Sequence, residues 1–508
     1  MSLRPVSSVA GVRRWVDRLP TELVALTVVG AILRLHKIGE ESLWNDEFAS
    51  MEDALALGPD VLIEQLGNAR PLYYVLLRPW IEVFGTTETG MRLLSAILGI
   101  AAIPAIYYLG VELYDERSGL MAALFMTFSR FHVRWSQDVR MYALLALLAT
   151  VSYLGLVRSI EDGGRRNRTV YILATVLMGY THIYAYFAIA AQNVYVFAAS
   201  VIGSWRRPSG GLRRWVTDQS IVAVALSPAI VLIADRLFGI ASGSSESSVV
   251  SWIVEPSAWA PFTATAHHVY QVYDPWIVLF TLVSLAALFG YRFVVDEIDG
   301  DWTVLVVTWF LFGVFVPVAV SHLLTPLLVS RYTIVAAPAL FLLVGESVAT
   351  ISSRIDAEFV RTMVVVGLVI TLSFPLANYY QTPQREQWRG AASYIEENAE
   401  PGDIVIVSRN YTTNNFRFYY AGEKRVVGMP EQANATELRS AIEGYDRAWV
   451  VLSNMGSGGR SAFLDEMNTT AVPDGPRASW SETGGVGARS IVKSLHGVNI
   501  YRFDVQSP

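Results

Sequence analysis

The sequence predicts an α-helical polytopic membrane protein with about eleven spanning helices and a C-terminal extracytoplasmic α/β domain. Long apolar runs fill most of the first 380 residues, and only 17% of the whole chain is charged, against about 25% in soluble domains. Arginines gather in alternate connections between those runs, as in a chain threaded through a bilayer. Beyond Tyr380 the polar balance returns, and short apolar stretches alternate with amphipathic ones.

A span needs roughly 20 apolar residues, because in hydrocarbon each backbone amide must be satisfied within its own helix. Such runs predict spans near residues 21–38, 90–112, 118–134, 140–158, 169–182, 184–204, 216–236, 275–291, 303–321, 332–350 and 360–378. Arg13, Arg14 and Arg18 precede the first, Arg165, Arg166 and Arg168 precede the fifth, and Arg206, Arg207, Arg213 and Arg214 separate the sixth from the seventh. The positive-inside rule assigns these to the cytoplasm, together with the N-terminus. An odd number of spans then leaves residues 381–508 outside as a soluble domain, and the long first loop, residues 39–89, is outside too. No small-residue cleavage site follows the first run, which reads as a retained anchor. Asn410-Tyr411-Thr412, Asn434-Ala435-Thr436 and Asn468-Thr469-Thr470 are acceptor sequons on the predicted outer side. Asn167-Arg168-Thr169 is a fourth on the inner side, so the sequons do not decide the topology.

Several function classes fall away on composition. The net charge is -6 and no long basic run exists to follow a phosphate backbone, which excludes nucleic acid as a partner. With no cysteine there are neither disulfides nor thiolate metal sites. No GxxxxGK loop is present, so ATP-driven transport has no engine. Asp299-Gly300-Asp301 matches a short metal–nucleotide-sugar pattern, but it falls in a predicted cytoplasmic loop, away from the other candidates, and reads better as a solvated acidic turn.

The first outer loop carries the strongest signal. Directly after the first span comes Glu41-Ser42-Leu43-Trp44-Asn45-Asp46-Glu47, an acidic pair beside a tryptophan suited to the headgroup region. A carboxylate at that boundary can stay charged while partly desolvated, a setting suited to accepting a proton from a hydroxyl. Spacing alone fits equally a solvated loop start with an aromatic-belt residue. Pro71 to Phe84 is apolar, too short to span and interrupted by Arg78, Pro79 and Glu82, so it is expected to lie in the interface, as is the stretch from Met51 to Leu66.

With these residues in view, the chain resembles the protein O-mannosyltransferase and aminoarabinose transferase superfamily, polyprenyl-phosphate-sugar glycosyltransferases of the multi-span C-type (GT-C) fold, similar to glycosyltransferase family 39. The resemblance rests on Leu43-Trp44-Asn45-Asp46-Glu47, Arg70-Pro71-Leu72-Tyr73-Tyr74 through Phe84-Gly85, Arg92-Leu93-Leu94-Ser95, Gln137-Asp138-Val139-Arg140-Met141-Tyr142, Thr181-His182, and Ser330-Arg331-Tyr332 followed by Pro338. One departure is Ala69-Arg70-Pro71, where the family often has His-Pro-Pro or Asn-Pro-Pro. The resemblance implies a polyprenyl- or dolichyl-phosphate-linked sugar as donor, mannose by preference, and a protein hydroxyl or surface glycan as acceptor. It makes Asp46 and Glu47 the catalytic candidates, and Arg140 and Arg331, beside Tyr142 and Tyr332, the candidates for the lipid phosphate.

A guanidinium offers a planar fork to phosphate and keeps its charge when desolvated, although helix-end arginines also snorkel to headgroups. Arg70, Asp138 and His182 join the substrate-binding candidates, since ionisable groups at membrane depth are functional by default; a packing histidine fits His182 equally. Arg34 and Arg92 read as anchors. His267 and His268 could join Asp46 and Glu47 in a divalent-metal site, although no regular ligand spacing supports one; no nucleotide is required, and metal dependence stays open.

In the C-terminal domain a helix is expected from Trp388 to Ile395, strands at Asp403 to Val407 and Ala448 to Leu452, and a helix at Glu437 to Glu443. Its role is open between acceptor binding and covering the cavity. The expected reaction is an inverting single displacement: Asp46 takes the acceptor's proton, Glu47 supports it, and Arg140 and Arg331 stabilise the departing phosphate. The rival class is a multi-span transporter or lipid-linked-sugar flippase. It is disfavoured because no inverted repeat is visible and the candidates gather on one predicted face.

Overall fold

The structure, a computed structural model, describes residues 20–202, 205–241, 253, 255–269, 300–453, 457–471 and 491–505. It divides into two compact units, one taking in the chain up to Ile38 and Met51–Asn378, the other Gly39–Ser50 and the chain from Tyr379 onward.

The first unit is helical. It begins with α1 (Thr21–Leu35), and after the division inside α2 (Asn45–Leu55) it continues with the short helices α3 (Pro59–Gly67) and α4 (Pro71–Phe84). Then come α5 (Glu88–Leu113), α6 (Glu116–Phe128), α7 (Arg130–Ser136), α8 (Tyr142–Glu161), α9 (Arg165–Gly179), α10 (Ala185–Ile202), α11 (Gly211–Ala241) and α12 (Ala260–Val269). After α13 (Gly300–Leu323), a 3-10 turn (Ser330–Ala336) runs into α14 (Ala337–Ser353), and α15 (Glu358–Gln381) follows.

Among the described residues, seven stretches are long and apolar enough to cross a membrane by length and composition: Glu88–Leu113, Tyr142–Glu161, Ala185–Ile202, Gly211–Arg236, Trp302–Leu323, Ser330–Ser353 and Glu358–Gln381. Each coincides with a predicted span. The expected span near 275–291 lies outside the described residues, as do Arg13, Arg14, Arg18 and Asp299.

The other three spans depart from expectation. α1 has 15 residues and stops at Leu35, where His36 turns extended and Lys37 takes a φ of +59°. The run 118–134 is two helices: Ser129 leaves helical geometry, and its Oγ accepts the His132 N–H at 3.1 Å, capping α7. α9 has 15 residues, starting at Arg165 and ending at Gly179. The Ser129 break frees carbonyls at the end of α6, and Arg34 fills them, donating to Met126 O at 2.9 Å and Thr127 O at 3.4 Å and facing His132 Nδ1 at 2.9 Å. Arg34 and Arg92 are both fully buried, and Arg92 donates to Ile38 O at 2.9 Å. Both thus tie helix ends together inside the protein, and do not reach lipid headgroups as expected of anchors.

The second unit is built on a five-stranded sheet of order β2-β1-β3-β5-β4, with β1 (Asp403–Ser408), β2 (Val426–Met429), β3 (Arg447–Ser453), β4 (Ile491–Leu495) and β5 (Val498–Asp504). β1 runs parallel to β2 and β3 and is buried along its whole length, while β5 is antiparallel to β3 and β4. This central position explains the unbroken Ile-Val-Ile-Val run. One face packs Val405, Val407, Trp449 and Val451 against Trp388 and Ile395 of α16 (Trp388–Asn398) and Phe416 of α17 (Thr413–Tyr419). The other packs Ile404, Ile406, Val450 and Leu452 against Leu438 of α18 (Ala435–Ile442) and Phe463 of α19 (Ser457–Ala471). Asn434 caps α18, its Oδ1 accepting the Glu437 N–H at 3.0 Å, which gives one sequon asparagine a structural task.

Candidate functional site

The acidic pair opens α2 and falls in the second unit. Glu47 is fully buried, whereas Asp46 is half-buried. The Glu47 carboxylate accepts the Trp44 N–H at 3.3 Å and lies 3.4 Å from Arg385 Nε. Arg385 also binds Glu41, Nη1 to Oε2, at 2.8 Å. The adjacent acids therefore have different surroundings. Glu47 is built into the structure as one half of a buried ion pair, while Asp46 keeps solvent access in the first turn of a helix, where backbone N–H groups favour negative charge.

The remaining candidates lie in the first unit, at the helix ends around the turn Tyr180 to Tyr184. Arg331 donates Nε–H to the Tyr142 hydroxyl at 3.0 Å, and its guanidinium lies 5.4 Å from the centre of the Tyr332 ring. Tyr332 stacks with Tyr142 at 6.2 Å and meets His182 edge-on at 4.6 Å and Tyr184 at 5.5 Å. His182 stands in the turn, outside the helices. Burial, and then the charges of Arg70, Arg140 and Arg331, hold its imidazole well below the usual histidine range. Arg70, Arg140 and Arg331, from distant parts of the chain, are thus all within electrostatic reach of this ring.

Local structure explains how each arrives there. Arg70 follows a Schellman turn: the Arg70 N–H bonds Gln65 O at 3.0 Å, the Ala69 N–H bonds Leu66 O at 3.0 Å, and Ala69 adopts a φ of +55°. Its Nε donates to Gln65 Oε1 at 2.8 Å, and the Leu72 N–H bonds Tyr180 O at 3.1 Å, tying the start of α4 to the histidine turn. Arg140 is buried just before α8; its carbonyl accepts from Ser95 Oγ at 3.1 Å, and that hydroxyl also pairs with Tyr73 at 2.9 Å. Asp138 is fully buried and pairs with Arg134 at 3.4 Å, so its carboxylate balances a second buried arginine. His267 Nδ1 faces Ser330 Oγ at 3.2 Å and His268 Nε2 faces Thr333 Oγ1 at 2.8 Å. The two histidines pin α12 to the turn carrying Arg331, and among the described residues no group of three or more His, Asp or Glu side chains could hold a metal ion.

Sequence reading missed four residues here. Arg134, Tyr184 and Arg385 lie in stretches without a recognisable pattern. Asp53 is more informative: burial raises its carboxyl above the ordinary range against the opposing charge of Arg70, with Arg140 also within electrostatic reach. An aspartate within reach of two candidate phosphate-binding arginines was visible in the sequence only as one acid of an interface helix. A cavity of about 290 Å³ lined by Glu112, Arg158, Glu161 and Arg166 lies at the far end of α8 from Tyr142 and is separate from this site.

The comparisons with known proteins bear on the whole architecture. A family model described as dolichyl-phosphate-mannose-protein mannosyltransferase matches residues 68–231. The crystal structure of ArnT from Cupriavidus metallidurans in the apo state superposes with a TM-score of 0.56 at 12% identity, covering 97% of this chain and 98% of that one. The chain has the GT-C fold. The same ArnT bound to undecaprenyl phosphate matches with a TM-score of 0.55 at 12% identity over 94% of this chain and 97% of that one. The apo oligosaccharyltransferase of Archaeoglobus fulgidus matches with a TM-score of 0.50 at 13% identity over 89% of this chain and 71% of that one. No curated protein sequence matches the chain. The GT-C fold accounts for the many spans followed by a sheet domain. It makes this a multi-pass membrane protein.

Proposed function

We propose that this protein is a membrane glycosyltransferase that moves a sugar, mannose by preference, from a polyprenyl- or dolichyl-phosphate donor to a protein hydroxyl or surface glycan. The observation that carries the reading is geometric: Arg331 bonds Tyr142 beside the Tyr332–His182 contact, and the helix that Arg70 precedes is tied to Tyr180 of the same turn. A guanidinium held by the buried Tyr142 hydroxyl suits a phosphate that is both membrane anchor and leaving group. The residues matched by the mannosyltransferase family model include Arg70, Asp138, Arg140, Tyr142 and His182. The ArnT relative was crystallised with undecaprenyl phosphate, a donor of this class once glycosylated.

In the proposed reaction the acceptor oxygen attacks the anomeric carbon of the donor sugar as the bond from that carbon to the phosphate oxygen breaks. The leaving electron pair stays on the phosphate, where Arg140 and Arg331 stabilise it. The acceptor's proton passes to Asp46, and configuration inverts because one displacement occurs. Glu47, paired with Arg385, supports the helix turn and Asp46 within it. The N-terminus is cytoplasmic in this reading, with the reaction and the sheet domain on the outer face, where nucleotide sugars are not supplied.

The test is incubation of the purified protein with dolichyl-phosphate-[14C]mannose and membrane extract, following label into protein or glycan. Wild-type protein is expected to transfer label. Asp46→Asn is expected to remain folded and inserted and to transfer none; full activity in that variant removes Asp46 from the reaction.

A further inference from the structure

We infer that Arg385 is a positioning residue for transfer, fixing the start of α2 so that Asp46 meets the acceptor in one orientation. The inference rests on the reading of Asp46 as proton acceptor and goes beyond it by assigning a role to the segment that precedes the sheet domain.

The geometry is specific. The Arg385 side chain is only 4% exposed, and its guanidinium bridges two carboxylates that stand on either side of Asp46 in the chain. Nη1 lies 2.8 Å from Glu41 Oε2, and Nε lies 3.4 Å from Glu47 Oε2. The backbone beside Arg385 reinforces the grip, since the Gln384 N–H donates to Glu41 Oε1 at 2.6 Å. Four residues later the Arg389 N–H donates to Ser42 Oγ at 3.0 Å, and the Arg389 Nη1 donates to Glu40 O at 3.3 Å. From α17, the Tyr419 hydroxyl accepts the Leu43 N–H at 2.8 Å, and Asn415 Nδ2 approaches Asn45 Oδ1 at 3.5 Å. Residues 40–47 are therefore held along their length by residues 384–389 and 415–419, all within the second unit.

A buried guanidinium that hydrogen-bonds one carboxylate and ion-pairs with a second constrains the segment between them. Asp46 lies in that segment and is half-buried. A displacement of about 1 Å at a reacting group can cost about 100-fold in rate. Arg385 therefore acts on chemistry through Asp46, and the donor-binding arginines are untouched by its removal.

The test uses full-length protein in membranes with dolichyl-phosphate-[14C]mannose and membrane extract, the amount of folded enzyme being counted by stoichiometric binding of dolichyl phosphate. Arg385→Ala is expected to lower kcat per binding-competent molecule by about 100-fold with the donor KM unchanged, and Arg385→Lys to recover part of the loss. A kcat within twofold of wild type in Arg385→Ala, or a loss expressed only in donor KM, overturns the inference. If Arg385→Ala no longer binds dolichyl phosphate at all, Arg385→Lys decides: reduced kcat at unchanged KM supports the inference and wild-type kcat overturns it. Asp46→Asn is assayed alongside. Its full activity counts against the reading of Asp46, whereas an inactive Asp46→Asn beside a fully active Arg385→Ala counts against positioning alone.

Discussion

The Arg331 Nε–H donates to the Tyr142 hydroxyl at 3.0 Å, joining side chains 189 residues apart. The bond fixes the Nε edge of the guanidinium against the tyrosine. Tyr142→Phe removes a hydrogen bond to a charged group, an interaction of about 1.5–3 kcal/mol. Weaker binding of dolichyl phosphate by about tenfold or more is the expected outcome, measured by titration. Arg331→Lys should weaken it further, because an ammonium cannot reproduce the fork.

His182 supplies a pH signature. Its folded-state value lies well below the usual histidine range, through burial and the charges of Arg70, Arg140 and Arg331. The unfolded chain takes up a proton near pH 6.5 while the folded ring does not, so this group's effect is a loss of stability as pH falls below that point. His182→Gln should flatten the dependence of thermal unfolding on pH between about 3 and 6.5.

Asp403 gives an acid-side window of its own. Burial alone raises its carboxyl, but hydrogen bonds from Trp449 and Arg447, then the Glu400 N–H, outweigh that and hold it below the ordinary carboxylate range. Stability from this group is complete above the unfolded value of about 3.9 and is lost as pH falls through the lower folded value. Asp403→Asn should cost about 2–3 kcal/mol at neutral pH and remove that acid-side loss, read by tryptophan fluorescence from Trp449.

Ala69 holds a φ of +55° at a buried position, and the family pattern differs at that place. A side chain in the left-handed region costs about 1–2 kcal/mol, and more when β-branched. Ala69→Val should therefore destabilise the protein and reduce transfer by misplacing Arg70. Ala69→Gly should leave both nearly unchanged, the conformational relief being offset by the lost methyl. Thermal melts and the labelled-mannose assay read the two effects.

The sequence carried what depends on local pattern. Hydropathy located the long helices because lipid imposes one length on all of them, and the Asp46-Glu47 pair stood out against an apolar flank. It did not tell the two acids apart: Glu47 is buried because Arg385 reaches it from far along the chain. The division of 118–134 turns on the single hydroxyl of Ser129, which hydropathy averages away. The four-residue strand β2 was too short to register beside β1. β5 alternates in burial along much of its length, a signal that was present in Val498-Asn499-Ile500-Tyr501 and outweighed by the polar tail around it.

α8 has 20 residues, about 30 Å of rigid rod, carrying Tyr142 at its first residue and Glu161 at its last. Its length equals the thickness of an ordinary hydrocarbon core. A thinner bilayer forces such a rod to lean, and leaning swings the tyrosine end sideways while the far end stays moored at the opposite headgroups. Lipid chain length thereby becomes a setting on the grip at Arg331, and reconstitution into short-chain and long-chain vesicles should give the same protein two different donor affinities.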